Sequence, residues 1–256
     1  MGLVEEARQA RLRVLRMIFE AQSSHIGSNL SCIDILTVLF SQMDPNKDEF
    51  IASKGWVAAS VYYFLVQEGI LPPEALDRYC KEGETKYIGL VEPQGVFGLR
   101  AAGGSVGYGL SFGVGFALSR KLKGVPGNVY VLMSDGEMNT GMVHEAALTA
   151  AHHKLDNLIV VVDNNGLQAT GTTDQVLKTD ILDLWSAWGW QCNVVDGHNL
   201  EHMSRVFKST VPGQPLVHVA DTFKGKGVSF MEDKLEWHYK NLTDEDYKNA
   251  RAELCT

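Results

Sequence analysis

No apolar stretch in this 256-residue sequence approaches the roughly 20 residues that a membrane-spanning helix needs; the longest runs resemble "NLIVVVD". A signal-peptide core is missing from the N-terminus, and "MGLVEE" carries Glu6 where a myristoylation pattern wants Ser or Thr. Long basic runs are absent too. With 23 Lys and Arg against 31 Asp and Glu, the net charge is −8 and no phosphate-backbone footprint is present, which excludes nucleic acid as the expected partner. Cysteine is scarce: Cys32, Cys80, Cys192 and Cys255 are scattered, with no C-x-x-C and no zinc spacing. Reduced thiols in a cytoplasmic, membrane-free chain are the expectation. The length allows a sizeable core, and one α/β domain over residues 1–256 is preferred to two small ones because no repeat or linker interrupts it.

Periodicity predicts a helix over residues 4–22, a second over 31–40 after a Ser cap, and a third over "VAASVYYFLVQEG" stopped by Gly69. "FIASKGW" reads as a short strand or turn, and "LPPEALDRYCKEG" as a helix that opens on Pro and ends at Gly83. The aperiodic, Gly-rich residues 83–104 predict a long loop, of the kind that is often functional. A helix follows that carries Gly107, Gly109, Gly113 and Gly115, each costing about 1 kcal/mol relative to Ala, so something must approach it closely. A ligand or tight helix–sheet packing would serve equally.

The runs "NVYVLMS", "NLIVVVD" and "QPLVHVADT" are continuously apolar, as strands buried on both faces of a parallel sheet are, and "GWQCNVVDGH" adds a fourth. "MVHEAALTAAHHKL" is long enough for a βαβ crossover between the first two. The fold class is therefore α/β, a parallel sheet with helices on both faces. Ligands in such sheets bind beyond the carboxyl ends of the strands, where Asp135 and Asn165 stand 30 positions apart. One carboxylate and one amide oxygen suit Mg²⁺ held together with phosphates, Gly136 admits a close phosphate approach, and Leu167 offers a carbonyl as a third ligand. "DG" and "NNG" are also ordinary turn sequences.

"SDG" followed by "NNG", together with "SSHIGSNLSCIDIL", "GGSVGYGLSFGVGFALS", "VDGHN" and "FKGKGVSFMEDKLEWH", resembles the N-terminal, thiamine diphosphate-binding half of transketolases over nearly the whole chain. The resemblance implies Mg²⁺ (or Ca²⁺) on Asp135, Asn165 and the Leu167 carbonyl, and cofactor contacts at Gly136, Asn165, Gly104, Val106 and Trp56. It implies His25 and His238 as catalytic imidazoles and Glu145 as a glutamate at the subunit contact. His25 before Gly27 also fits a helix cap, and His238 and Glu145 also fit surface positions. Transketolases continue with an aminopyrimidine-binding domain, whereas this sequence ends at "AELCT"; the expectation is a split enzyme whose separate C-terminal subunit completes an α2β2 heterotetramer. It would carry a two-carbon ketol unit from a sugar or sugar-phosphate donor to an aldehyde acceptor.

Three positions depart from the family pattern. Trp56 stands where "SKGH" has histidine, Leu90 at the place of a second histidine, and Thr140 where a glutamate is usual. Losing groups that bond sugar hydroxyls points to an atypical substrate. The α subunit of a thiamine diphosphate-dependent 2-oxo-acid dehydrogenase and a non-catalytic scaffold are the competing readings.

Overall fold

The computed structural model describes residues 2–255. The chain opens with α1 (Leu3–Ala21) and α2 (Ile26–Phe40), then β1 (Glu49–Ala52), a 3-10 turn at Gly55–Val57, α3 (Ala58–Gln67) and a single turn, α4 (Glu74–Asp77). After a long loop come α5 (Tyr108–Lys123), β2 (Val129–Ser134), a 3-10 turn at Asp135–Asn139, α6 (Gly141–His152) and β3 (Leu158–Asn164). The remainder is α7 (Thr173–Leu177), α8 (Ile181–Ala187), β4 (Gln191–Asp196), α9 (Leu200–Val206), β5 (Leu216–Asp221), a 3-10 turn at Leu235–His238 and α10 (Asp244–Leu254).

The five strands form one parallel sheet in the order β1-β2-β3-β5-β4. Side chains alternate across it, and both sets are buried. Tyr130, Leu132, Ile159, Val161 and Leu216 pack with α1, α2, α3 and α9. Val129, Val131, Leu158, Val160 and Val217 pack with α5, α6 and α8 on the other face. Each such Val or Leu removed from water contributes about 1.5–3 kcal/mol, which is why the strands read as continuous apolar runs. Among the described residues no helix is long and apolar enough to cross a membrane.

Two expected helices need correction. α2 starts at Ile26, five residues ahead of Ser31, and His25 precedes it in the left-handed region at φ 71° without a side-chain cap. Its first turns are polar yet buried because their groups find internal partners: Asn29 Nδ2–H donates to the His25 carbonyl at 2.9 Å, and Ser31 Oγ–H to Asp163 at 2.6 Å. The helix expected over "LPPEALDRYCKEG" stops at Asp77. Cys80 takes φ 50° and its N–H donates to the Tyr87 carbonyl at 2.8 Å, so the chain turns back onto its own loop.

The glycines of α5 divide by what they face. A Cβ at Gly109 would lie 2.3 Å from the Ser53 Cβ and 2.5 Å from its Cα; one at Gly113 would lie 2.5 Å from Val131 Cγ2. Helix–sheet packing, then, explains those two. Among the described residues, and apart from its chain neighbours and its own helix backbone, nothing lies within 4 Å of a Cβ at Gly115. Gly109→Ala is therefore expected to destabilise the chain by about 1–3 kcal/mol through overpacking, while Gly115→Ala is expected to stabilise it by up to about 1 kcal/mol. Urea unfolding of the two variants beside the parent checks both signs.

Candidate active site

Ser134 pairs with Asp163 in the β2–β3 register, so Asp135 leaves β2 directly beside the 164–167 turn that leaves β3. Asp135 is buried, and its two carboxylate oxygens accept from Gly136 N–H at 2.7 Å and Gly166 N–H at 2.6 Å. Asn165 Oδ1 accepts from Leu167 N–H at 3.1 Å. Each of these oxygens keeps a further lone pair. Burial, then repulsion from Asp163, pushes the Asp135 carboxyl up to about 6.

A cavity of about 240 Å³ opens beside this turn, walled by Asp135, Gly136, Asn165 and Leu167 together with His25, His238, Lys224, Trp56 and Val106. The loop geometry thus brings together eight of the ten residues proposed from sequence. Gly104 and Glu145 stand outside it: both are exposed, Gly104 near Leu90 and Glu145 on the outer face of α6. A larger cleft of about 870 Å³ lies beyond the same turn, sharing Asp135, Asn165 and Leu167, but neither imidazole nor lysine lines it. The smaller cavity is the one with convergent chemistry.

Sequence reading passed over the charges that organise this cavity. Lys54 is completely enclosed and paired with buried Asp163. Burial would lower the Lys54 ammonium and raise the Asp163 carboxyl; their attraction outweighs it, holding the ammonium above and the carboxyl below their ordinary ranges. Lys224, also enclosed, donates from Nζ to His238 Nδ1 at 2.8 Å. Burial, then Lys54, brings its ammonium down to about 8. Since that ammonium can only donate, the His238 proton sits on Nε2.

His25 packs edge-on to His238 with ring centroids 5.1 Å apart, and Ser24 Oγ lies 2.8 Å from its Nδ1. Burial and then the two lysines depress both imidazoles, His25 to about 4 and His238 to about 3. Both rings are neutral at pH 7, in a positive local field.

Glu137, fully buried, joins the turn to the glycine-rich loop: it accepts from Ser134 N–H at 2.8 Å, Gly107 N–H at 2.9 Å and the Ser53 hydroxyl. Burial nonetheless pushes its carboxyl up. Gly107 takes φ 85°, and a Cβ there would lie 2.1 Å from Thr140 Oγ1, so Thr140 packs against this loop while its hydroxyl donates to the Glu137 carbonyl at 2.9 Å. The Gln168 side chain packs against Gly136, its Nε2 buried and, among the described residues, without an acceptor.

These features fit a diphosphate and an oxygen-loving cation. Two enclosed ammonium groups and the unsatisfied Gln168 donor suit a phosphate oxygen, and oxygen donors alone suit Mg²⁺ rather than a transition metal. Among the described residues no three His, Cys, Asp or Glu side chains gather as a self-sufficient metal site. A cation on Asp135, Asn165 and Leu167 would need ligand oxygens to complete its shell.

The family profile described as transketolase, thiamine diphosphate binding domain, matches residues 4–256. The chain is 34% identical to one subunit of the apulose-4-phosphate transketolase of Phocaeicola vulgatus, over 97% of this chain and 92% of that protein. It is 32% identical to a 6-deoxy-6-sulfo-D-fructose transketolase subunit of Clostridium sp., over 98% and 96% of the two. Transketolase from Campylobacter jejuni superposes with a TM-score of 0.91 at 27% identity; the alignment takes in all of this chain and 43% of that one.

Removing one member of the enclosed ion pair leaves the other uncompensated. Asp163→Asn, which leaves Lys54 facing a neutral amide, is expected to cost about 3–5 kcal/mol in urea unfolding at pH 7.

Proposed function

We propose, on the premise that this chain belongs to the transketolase family through its thiamine diphosphate-binding domain, that it is the diphosphate-binding subunit of a two-component transketolase. The enzyme moves a two-carbon ketol unit from a ketose donor to an aldehyde acceptor. The observation that carries this reading is the cavity at the carboxyl ends of β2 and β3, where an oxygen-donor turn meets two enclosed lysines and two neutral imidazoles. Residues 1–256 act as one cofactor-binding unit in this reading.

Asp135, Asn165 and the Leu167 carbonyl would hold Mg²⁺ (or Ca²⁺), with the diphosphate supplying further oxygens. Gly136, Lys224 and Gln168 would meet the phosphates, Val106 and Trp56 the rest of the cofactor, and Gly104 any part of it that extends beyond the cavity. Thiamine diphosphate, when bound, supplies a nucleophilic carbon and an electron sink for carbon–carbon bond cleavage. His238, with its proton on Nε2, donates a hydrogen bond to an oxygen in the cavity. His25 can take or give a proton, because its Nδ1 neighbour is a hydroxyl that can itself donate or accept. Trp56 and Val106 give one wall of the cavity an apolar surface.

Relatives whose names make them single subunits of a transketolase support a separate partner. We assign it the aminopyrimidine-binding, C-terminal type, in an α2β2 assembly. Tyr108, Phe112 and Leu148 leave large apolar side chains exposed on α5 and α6, and Glu145 lies three residues from Leu148 on the same helix face, as a contact residue would. Four free, scattered cysteines support a cytoplasmic setting. The relatives' names, apulose 4-phosphate and 6-deoxy-6-sulfofructose, support an atypical sugar substrate, as does a Trp56 wall that offers a sugar hydroxyl no acceptor.

Calorimetric titration of thiamine diphosphate with Mg²⁺ into the chain assembled with its partner tests the cofactor reading. Asn165→Ala is expected to weaken binding by about ten-fold or more, as loss of a bond to a charged group does; unchanged affinity would overturn the assignment. Trp56→His is expected to raise kcat/KM for an ordinary hydroxylated ketose phosphate by about ten-fold, measured by product analysis against the parent enzyme.

A further inference from the structure

Away from the cavity, a buried polar cluster joins three distant parts of the chain. Arg11 on α1 forms a two-pronged pair with Asp34 on α2, Nη1 to Oδ1 at 3.0 Å and Nη2 to Oδ2 at 2.6 Å. His198, in the turn after β4, donates from Nδ1 to the same Asp34 Oδ2 at 2.7 Å. Burial works to raise the Asp34 carboxyl, but the bond from His198 and the charge of Arg11 hold it below its ordinary range.

Both partners of Asp34 then reach one segment of backbone. Phe223 N–H donates to His198 Nε2 at 2.9 Å, and Arg11 Nε–H donates to the Lys226 carbonyl at 3.2 Å. A backbone N–H can only donate, so His198 Nε2 must be bare and the ring proton must lie on Nδ1, where Asp34 fixes it. The His198 ring also stacks on Phe223, 8° from parallel. Between the two anchor points lies Lys224, directed into the cavity. Gly225 bridges them at φ 82°, its N–H donating to the Gly27 carbonyl at 2.9 Å beside His25.

We propose that Arg11, Asp34 and His198 are positioning residues, a buried clamp that grips both ends of residues 223–226 and holds the Lys224 ammonium in the cavity against His238. Burial and the neighbouring Lys54 disfavour the Lys224 ammonium more than Asp135 and Asp163 favour it, so a segment without such anchors would swing the ammonium out to water. Asp34 aligns the imidazole, the imidazole and guanidinium fix the backbone, and the backbone aims the lysine. The consequence for cofactor affinity rests on the reading of the cavity as the diphosphate site; the placing of Lys224 does not.

Lysine acylation of the full chain without cofactor, read peptide by peptide, tests the clamp. Lys54 serves as an internal control, because its own carboxylate partner is Asp163. His198→Leu is expected to speed labelling of Lys224 by about five-fold or more while Lys54 stays protected, as expected for local opening rather than global loosening. His198→Gln, whose amide can accept from Phe223 N–H and donate to Asp34, is expected to restore protection. Asp34→Asn, which can turn the His198 proton toward Phe223, is expected to behave as His198→Leu does. Unchanged protection of Lys224 in His198→Leu, or Lys224 and Lys54 becoming reactive together, would overturn the clamp, as would a failure of His198→Gln to rescue. Calorimetry with thiamine diphosphate and Mg²⁺ on the parent and His198→Leu separates the two readings. A parent chain assembled with its partner that binds no cofactor overturns the cavity assignment and leaves the labelling result standing.

Discussion

The enclosed pair of Lys54 and Asp163 is the constraint around which the cavity is assembled. Lys54 follows β1, Asp163 ends the buried part of β3, Ser31 reaches the same carboxylate from α2, and Thr222 reaches it from the end of β5. Four segments far apart in sequence therefore meet on one carboxylate. An unpaired charge in such a place would be very costly, so each hydrogen bond to Asp163 also fixes the segment that supplies it. The start of α2, the 54–56 turn and Thr222 all take their places from this meeting point.

That arrangement stores a bias toward anions. Burial, reinforced by two enclosed ammonium groups, keeps His25 and His238 neutral, and burial together with Lys54 leaves Lys224 readier than an ordinary lysine to lose its proton. The same field strengthens any bond to a phosphate oxygen placed among these groups. Neutral imidazoles beside a phosphate site can hold and pass protons without competing for the negative charge. Stability given up in gathering like charges is thus available to binding, and the buried network beneath the 223–226 segment keeps that arrangement from relaxing.

Much of the fold was legible in the sequence because its strands are buried on both faces. Continuous apolar runs at 128–134, 157–163 and 214–222 predicted parallel strands, and β2, β3 and β5 are found at Val129–Ser134, Leu158–Asn164 and Leu216–Asp221. Asp135 and Asn165 were legible as residues just past strand ends, where the parallel register sets them side by side. The first turns of α2 were illegible as helix because Ser28, Asn29 and Ser31 are poor core residues until their partners are known. Propensity also extended α4 through Cys80, where a loop contact turned the chain instead. Lys54 and Lys224 lie inside the quoted "SKGW" and "FKGKG" stretches, yet a lysine in sequence carries no mark of being enclosed.

The sequence by itself determined the class of sheet, the position of the oxygen-donor turn at its carboxyl end and the kinship of the chain, since periodicity and motif order are local properties. Tertiary structure alone decided which charges face one another. Lys54 and Asp163 are 109 residues apart, and His198 and Asp34 are 164 apart. No periodic pattern reports such a pairing, because the energy that selects it comes from removing both groups from water at one point, and that point exists only once the sheet and its helices have closed around it.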